Sequence, residues 1–168
     1  MKIKSDMAGK YKGLDVLAEI IEQAKKDGKK IALANGGFDL LHIGHVRYLR
    51  DSKNAADILV VAINSDRSLK NLKGDHRAEI NEEGRAGIVG SLECVDYVTV
   101  FDEERVDKVL LTLKPDFHCK GSDYTPDTVP ERDIVKSYGG RILITGGRKI
   151  KSSSDIIKDI SIKKEIKK

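Results

Sequence analysis

The chain has 168 residues, of which 39% are hydrophobic and 35% charged, proportions that suit one compact domain with a true core and a well-solvated surface. Aromatic residues make up 5% and tryptophan is absent, which argues against a base-stacking surface for single-stranded nucleic acid; the net charge of +4 reflects basic ends, residues 1–12 and 162–168, that read as solvated termini. The two cysteines, Cys94 and Cys119, form no C-x-x-C pair, and neither a membrane-length apolar run nor a signal-peptide core is present, so the expectation is a soluble cytoplasmic protein with no membrane or nucleic-acid partner.

Leu14, Leu17, Ile21 and Ala24 fall on one stripe, and the spacing predicts a helix over Leu14–Lys26 with Gly28 as its stop. Ile31–Ala34 reads as a short buried strand broken by Gly36-Gly37. A helix follows from about His42 to Lys53, then a β-branched run, Ile58–Ile63, typical of a buried parallel strand. The alternation continues with a helix at Glu82–Glu93, a strand at Tyr97–Phe101, a helix at Arg105–Leu113 and a strand at Asp116–Cys119. It closes with a helix at Glu131–Tyr138, a strand at Arg141–Thr145 and a helix at Ser154–Ile160. Strands alternating with helices imply an α/β fold, a single doubly wound parallel sheet of Rossmann-like type with helices on both faces. The predicted organisation is one domain: a first helix over about 14–27, a core from about 30 to 160, and a basic tail at 161–168. In such sheets ligands bind beyond the carboxyl ends of the strands, which directs attention to the loops after Ala34, Ile63, Cys119 and Thr145.

The sharpest signal is Asn35-Gly36-Gly37-Phe38-Asp39-Leu40-Leu41-His42-Ile43-Gly44-His45. Glycines let the backbone approach a ligand, and the helix starting near His42 offers free N–H groups and a positive dipole end to an anion. His42 and His45, three residues apart, share one face of the first turn, with Gly44 leaving space between them. The arrangement suits a polyphosphate above the helix, held by two imidazoles. Zinc binding would need a third ligand that is not near. A pair of merely structural histidines would leave the glycines unexplained, and neither a G-x-G-x-x-G nor a Walker pattern occurs.

The segment Gly36-x-Phe38-Asp39-x-x-His42-x-Gly44-His45 resembles the H-x-G-H loop of the cytidylyltransferase-like nucleotidyltransferases. Over about Lys30–Ile160 the sequence is similar to the heptose branch of that family, the D-glycero-β-D-manno-heptose 1-phosphate adenylyltransferase domain of ADP-heptose synthases. Further segments that carry the resemblance are Asn64-Ser65-Asp66, Leu72-Lys73-Gly74 with Arg77, Arg85, Val95-Asp96-Tyr97, Lys120-Gly121-x-Asp123-Tyr124 and Ser152-Ser153-Ser154.

The resemblance implies transfer of AMP from ATP to a sugar 1-phosphate, as part of ADP-heptose and lipopolysaccharide core synthesis. It implies catalytic roles for His42, His45 and Lys73, and nucleotide or phosphate contacts from Asn35, Gly36, Gly37, Phe38, Asp39, Gly44, Lys120, Ser152, Ser153 and Ser154. Substrate contacts are expected from Asn64, Asp66, Arg77, Arg85 and Asp123. Beside these stand plainer readings: Ser65 capping a turn, Arg85 in a surface salt bridge, Ser152–Ser154 starting a helix. Ser122 stands where relatives have glycine, which raises the question of whether the loop needs a left-handed backbone there. Mg²⁺ is expected with ATP and with no dedicated protein ligands, the assembly as a homodimer, and the acceptor from a separate sugar kinase. Two alternatives remain open: a cytidylyltransferase acting on glycerol phosphate or another polyol phosphate, and a non-catalytic nucleotide-binding module.

Overall fold

A computed structural model describes residues 9–73, without the side chain of Lys73, and 79–147. In chain order the elements are α1 (Leu14–Lys26), β1 (Ile31–Gly36), α2 (Ile43–Asn54), β2 (Ile58–Asn64), α3 (Asp66–Lys73) and α4 (Glu82–Gly90). β3 (Tyr97–Phe101), α5 (Asp107–Leu113), β4 (Phe117–Gly121), α6 (Arg132–Ser137) and β5 (Arg141–Thr145) follow. The strands form one parallel sheet in the order β3-β2-β1-β4-β5. The chain therefore winds outward from β1 to β3 and then returns to the other side of β1. That reversal opens a crevice at the carboxyl ends of β1 and β4, where doubly wound folds take their ligands.

The strands are apolar throughout because both faces are covered. Ile31, Leu33, Val60 and Ala62 point to one layer with Leu17 and Ile21 of α1, Val109 and Leu110 of α5 and Val135 of α6. Ala32, Ala34, Leu59, Val61 and Ile63 point to the other, against Tyr48 and Leu49 of α2 and Ala86 and Val89 of α4. The period-two alternation of each strand thus builds two cores from one run of residues.

Polar contacts fix how the layers meet. The Tyr48 hydroxyl donates to the Cys119 carbonyl at 2.7 Å, tying α2 to β4. Ser52 lies within 3.0 Å of the Thr145 hydroxyl, and Gly146, at φ +91°, passes so close to α2 that a Cβ there would lie 3.1 Å from Tyr48 Cα. The Asp96 carboxylate accepts from the Leu59 amide and the Lys53 ammonium, each at 2.7 Å. Along the outer edge of β3, Lys10–Lys12 runs parallel to the strand: Lys12 donates to the Val98 carbonyl and the Val98 amide to Lys10, each at 3.0 Å.

Compared with expectation, β1 and β2 run further, through Gly36 and Asn64, so Gly36 belongs to the ladder and the break comes at Gly37. α4 ends at Gly90, well before Glu93, and α5 and α6 start later than expected, at Asp107 and Arg132. α3 was not legible: its Asp-Arg-Ser-Leu-Lys-Asn-Leu-Lys run has few apolar positions, and it is anchored by one buried leucine, Leu69. The helix expected at Ser154–Ile160 lies outside the described residues. Among those described, no helix is long and apolar enough to cross a membrane.

Leu49 is fully buried on the α2 face of the sheet. Leu49→Ala should lower the free energy of unfolding by about 2–5 kcal/mol. Val16→Ala, at a half-exposed position, should change it by less than about 0.5 kcal/mol. Urea unfolding followed by circular dichroism measures both.

Candidate active site

The loop from β1 into α2 is held from both sides. At Gly37 the space for a side chain is taken, since a Cβ would lie 2.8 Å from Leu69 Cδ2. Phe38 has φ +50°, a left-handed conformation that costs a non-glycine residue energy, and its ring is buried beside that of His45 at 5.3 Å. Asp39 accepts a hydrogen bond from the Ile80 amide at 3.2 Å, which joins the loop to the start of α4.

The two histidines then cap α2 reciprocally. His42 is the extended residue before the helix; its Nδ1 accepts from the Gly44 amide at 3.1 Å, while His45 Nδ1 accepts from the His42 amide at 3.4 Å. The rings lie 4.0 Å apart at 39°. Because each Nδ1 is an acceptor, the proton of each neutral imidazole sits on Nε2, at the far side of the ring. Burial holds the His42 pKa below the ordinary imidazole value, which favours this neutral form at physiological pH. The helix start therefore presents two imidazole N–H donors of fixed tautomer.

Arg85 occupies a different place from the surface salt bridge considered above. It is fully buried, and its guanidinium donates to the carbonyls of Gly37 (2.6 Å), Asn64 (2.8 Å) and Ile80 (2.9 Å) and to Asp66 Oδ1 (2.7 Å). One planar cation thus gathers the loop after β1, the end of β2 and the starts of α3 and α4. With no exposed surface, Arg85 reaches a substrate only through the groups it holds.

Asn64 and Ser65 are buried at the end of β2. Asn64 Nδ2 donates to the Ser68 hydroxyl at 2.9 Å, and the Ser65 hydroxyl accepts from the Ser68 amide at 3.0 Å, so Ser65 caps α3. Asp66, the first residue of α3, is half-exposed beside Arg85. Across the β1–β4 crevice, the Lys120 ammonium donates to Asn35 Oδ1 at 3.0 Å and lies 3.3 Å from Glu131 Oε2. His118 Nε2 is 3.5 Å from the same oxygen. Burial acts to raise the Glu131 pKa, but the adjacent His118 imidazole and the Lys120 charge outweigh it and bring the carboxyl down to about 2. Burial likewise pushes the His118 imidazole and the Lys120 ammonium down.

Asn35, Gly36, Gly37, Phe38, Asp39, His42, Gly44, His45, Asn64, Asp66 and Lys120 all lie at the carboxyl edge of the sheet, in the loops leaving it or in the first turns of the helices that follow. Asp123 is in the exposed turn after β4. Ser122 shares that turn, and since Phe38 and Lys114 are the left-handed non-glycine residues among those described, Ser122 fits without strain. The Lys73 side chain, Arg77 and Ser152, Ser153 and Ser154 lie outside the described residues. Sequence reading missed Glu131 and His118; a histidine inside an otherwise apolar strand, Phe117-His118-Cys119, was the signal that a buried polar partner was present.

The fold and the loop define a nucleotidyltransferase built on a doubly wound sheet. The chain belongs to the cytidylyltransferase-like family, whose pattern matches residues 33–166. It is 48% identical over 156 residues, 93% of its length, to the bifunctional protein HldE of Geobacter metallireducens, and 46% identical over 151 residues, 90% of its length, to that of Geobacter sulfurreducens. The chain spans 32% and 31% of those two relatives. Among solved structures it is similar to the lipopolysaccharide core biosynthesis protein from Thermoplasma volcanium GSS1, with TM-score 0.59 and 28% identity, covering 70% of this chain and 94% of that one. It shares the fold of pantoate-β-alanine ligase from Francisella tularensis, with TM-score 0.57 and 16% identity, covering 80% of this chain and 65% of that one.

Arg85→Lys should lower stability by about 3 kcal/mol, because one ammonium cannot span the acceptors the guanidinium serves and buried carbonyls are left unpaired. Urea unfolding measures it. Acid should act through the other buried cluster. His118 has a depressed pKa when folded, so the unfolded chain takes up its proton first and stability falls as pH drops below 6.5. Glu131 contributes fully above 4.5, and its contribution is lost as pH falls toward 2. Thermal melts should therefore show Glu131→Gln less stable than wild type at pH 7, with the gap narrowing between pH 4.5 and 2.

Proposed function

We propose that this domain transfers AMP from ATP to a sugar 1-phosphate, D-glycero-β-D-manno-heptose 1-phosphate, giving an ADP-sugar and pyrophosphate for lipopolysaccharide core synthesis. The observation that carries the chemistry is the stacked His42–His45 pair, each ring locked as an Nε2 donor at the N-terminus of α2 beside the crevice. The choice of acceptor is supported by the identity to the HldE proteins, the likeness to the Thermoplasma protein and the heptose-branch segments Asn64-Ser65-Asp66 and Lys120-Gly121-x-Asp123-Tyr124.

In this reading a phosphate oxygen of the acceptor attacks the α-phosphorus. The bond from that phosphorus to the α–β bridging oxygen breaks, and pyrophosphate leaves with the electron pair. The nucleophile is already an anion, so no general base is needed, and catalysis comes from positioning and charge neutralisation. His42 and His45 donate to phosphate oxygens as charge builds on the transferring group. The triphosphate lies over Gly36–Asp39 and Gly44 with Asn35 beneath. Lys73 and Ser152–Ser154 hold the β- and γ-phosphates, and Lys120 meets a phosphate across the crevice. Asn64, Asp66, Arg77 and Asp123 are assigned to acceptor binding in this reading, and Arg85 acts through Gly37, Asn64 and Asp66.

Mg²⁺ accompanies the triphosphate and neutralises its oxygens. In this reading the ion would be carried mainly by the phosphates and water, while Asp39 accepts from the Ile80 amide and Asp66 from Arg85. The proposal includes a cytoplasmic homodimer and a sugar kinase activity outside these 168 residues that makes the acceptor. The family's description favours one second reading, a cytidylyltransferase acting on a polyol phosphate.

Pyrophosphate release from purified protein with Mg²⁺, ATP or CTP, and a panel of sugar and polyol phosphates separates these readings. Release with ATP and the heptose phosphate alone is expected; release with CTP alone would overturn the choice of base. His42→Ala and His45→Ala should each lower kcat by roughly 10²-fold or more with unchanged circular dichroism, the loss expected for a transition-state donor.

A further inference from the structure

Glu131 stands immediately before α6, where a side chain ordinarily caps the helix, yet it makes no capping bond. It turns inward, is almost completely buried, and sets Oε2 3.3 Å from the Lys120 ammonium and 3.5 Å from His118 Nε2. Both ring nitrogens of His118 and Glu131 Oε2 are buried without a well-formed hydrogen bond among the described residues, a costly arrangement for a purely structural contact. On its other side the ammonium is held by Asn35 Oδ1 at the end of β1, so the chain His118–Glu131–Lys120–Asn35 crosses the point where the strand order reverses.

From this geometry we infer that Glu131 is a positioning residue: it is the internal counter-ion that keeps Lys120 protonated and aimed, with Asn35, at the crevice where the phosphate-bearing ligand binds. The inference rests on the functional reading above for the identity of that ligand. A lysine buried at this depth sheds its proton unless a charge opposes the loss of water. Glu131 supplies that charge from α6. The other charged groups facing Lys120 are Arg105 and Asp107 at the start of α5, paired at 3.0 Å, so they largely offset one another. Tyr124 adds its ring face at 5.3 Å. An arriving phosphate can then take the lysine's hydrogen bonds without moving a charge in from solvent.

The test uses Glu131→Gln and Glu131→Asp in the full chain. In Glu131→Gln the Lys120 ammonium, followed by NMR and assigned with Lys120→Met, should titrate about one pH unit or more below wild type. KM for the phosphate-bearing substrate should rise about tenfold with kcat changed less, and the alkaline limb of the pH–rate profile should move down with the lysine. Glu131→Asp, which keeps the charge, should lie between the two and serves if Glu131→Gln does not fold. An unchanged Lys120 titration and pH profile, with only stability lost, would overturn the inference. If wild-type protein releases no pyrophosphate with any substrate pair, the functional reading fails while the Lys120 titration still decides this one.

Discussion

A single buried cation organises the site. Arg85 cannot shed its charge, so every polar neighbour it has must face it, and the carbonyls of Gly37, Asn64 and Ile80 do so. Those carbonyls belong to the loop after β1, the end of β2 and the approach to α4. Their mutual placement is therefore set by the span of one guanidinium, about the size of a peptide group, and not by the flexible backbone between them. Phe38 can be kept in its left-handed conformation because the residue before it is gripped in this way and packed against Leu69.

The histidine pair depends on that frame. A reciprocal cap needs the chain to enter the helix at one angle, and the approach is fixed by Gly37 on Arg85 and Asp39 on Ile80. The cap in turn selects the tautomer. Each imidazole spends its acceptor nitrogen on the backbone of the first turn, so helix geometry and proton location are one property. Opposite, Lys120 is set by side chains from three segments, Asn35, Glu131 and Tyr124. The crevice thus has one wall built by backbone capping and another built by a buried ion pair.

The sheet was legible because its strands are buried on both faces, and runs such as Ile58–Ile63 are too short to be anything but buried strands or helix segments in a domain of this size. The first helix was legible from its stripe, and the loop from glycines and histidines that a plain connection does not need. What escaped notice was set by tertiary contact. α3 carries too few apolar residues to show a period, and one leucine packed against Gly37 holds it. Resemblance alone singles out Arg85 as a substrate contact, and its burial was not legible, since only the folded chain brings three carbonyls around it. Glu131 and His118 meet through β4 and α6, and nothing local announces the pairing.

The parallel stretch Lys10–Lys12 has a consequence of another kind. β3 ends the sheet on one side, and its outward amides and carbonyls would be an open template for any extended chain. By bonding to Val98 from both directions, the segment ahead of α1 occupies that template with two lysines flanking a tyrosine. A shortened version beginning at α1 would bare this border and also remove Tyr11 from the edge of one core, so self-association at high concentration would accompany a modest loss of stability.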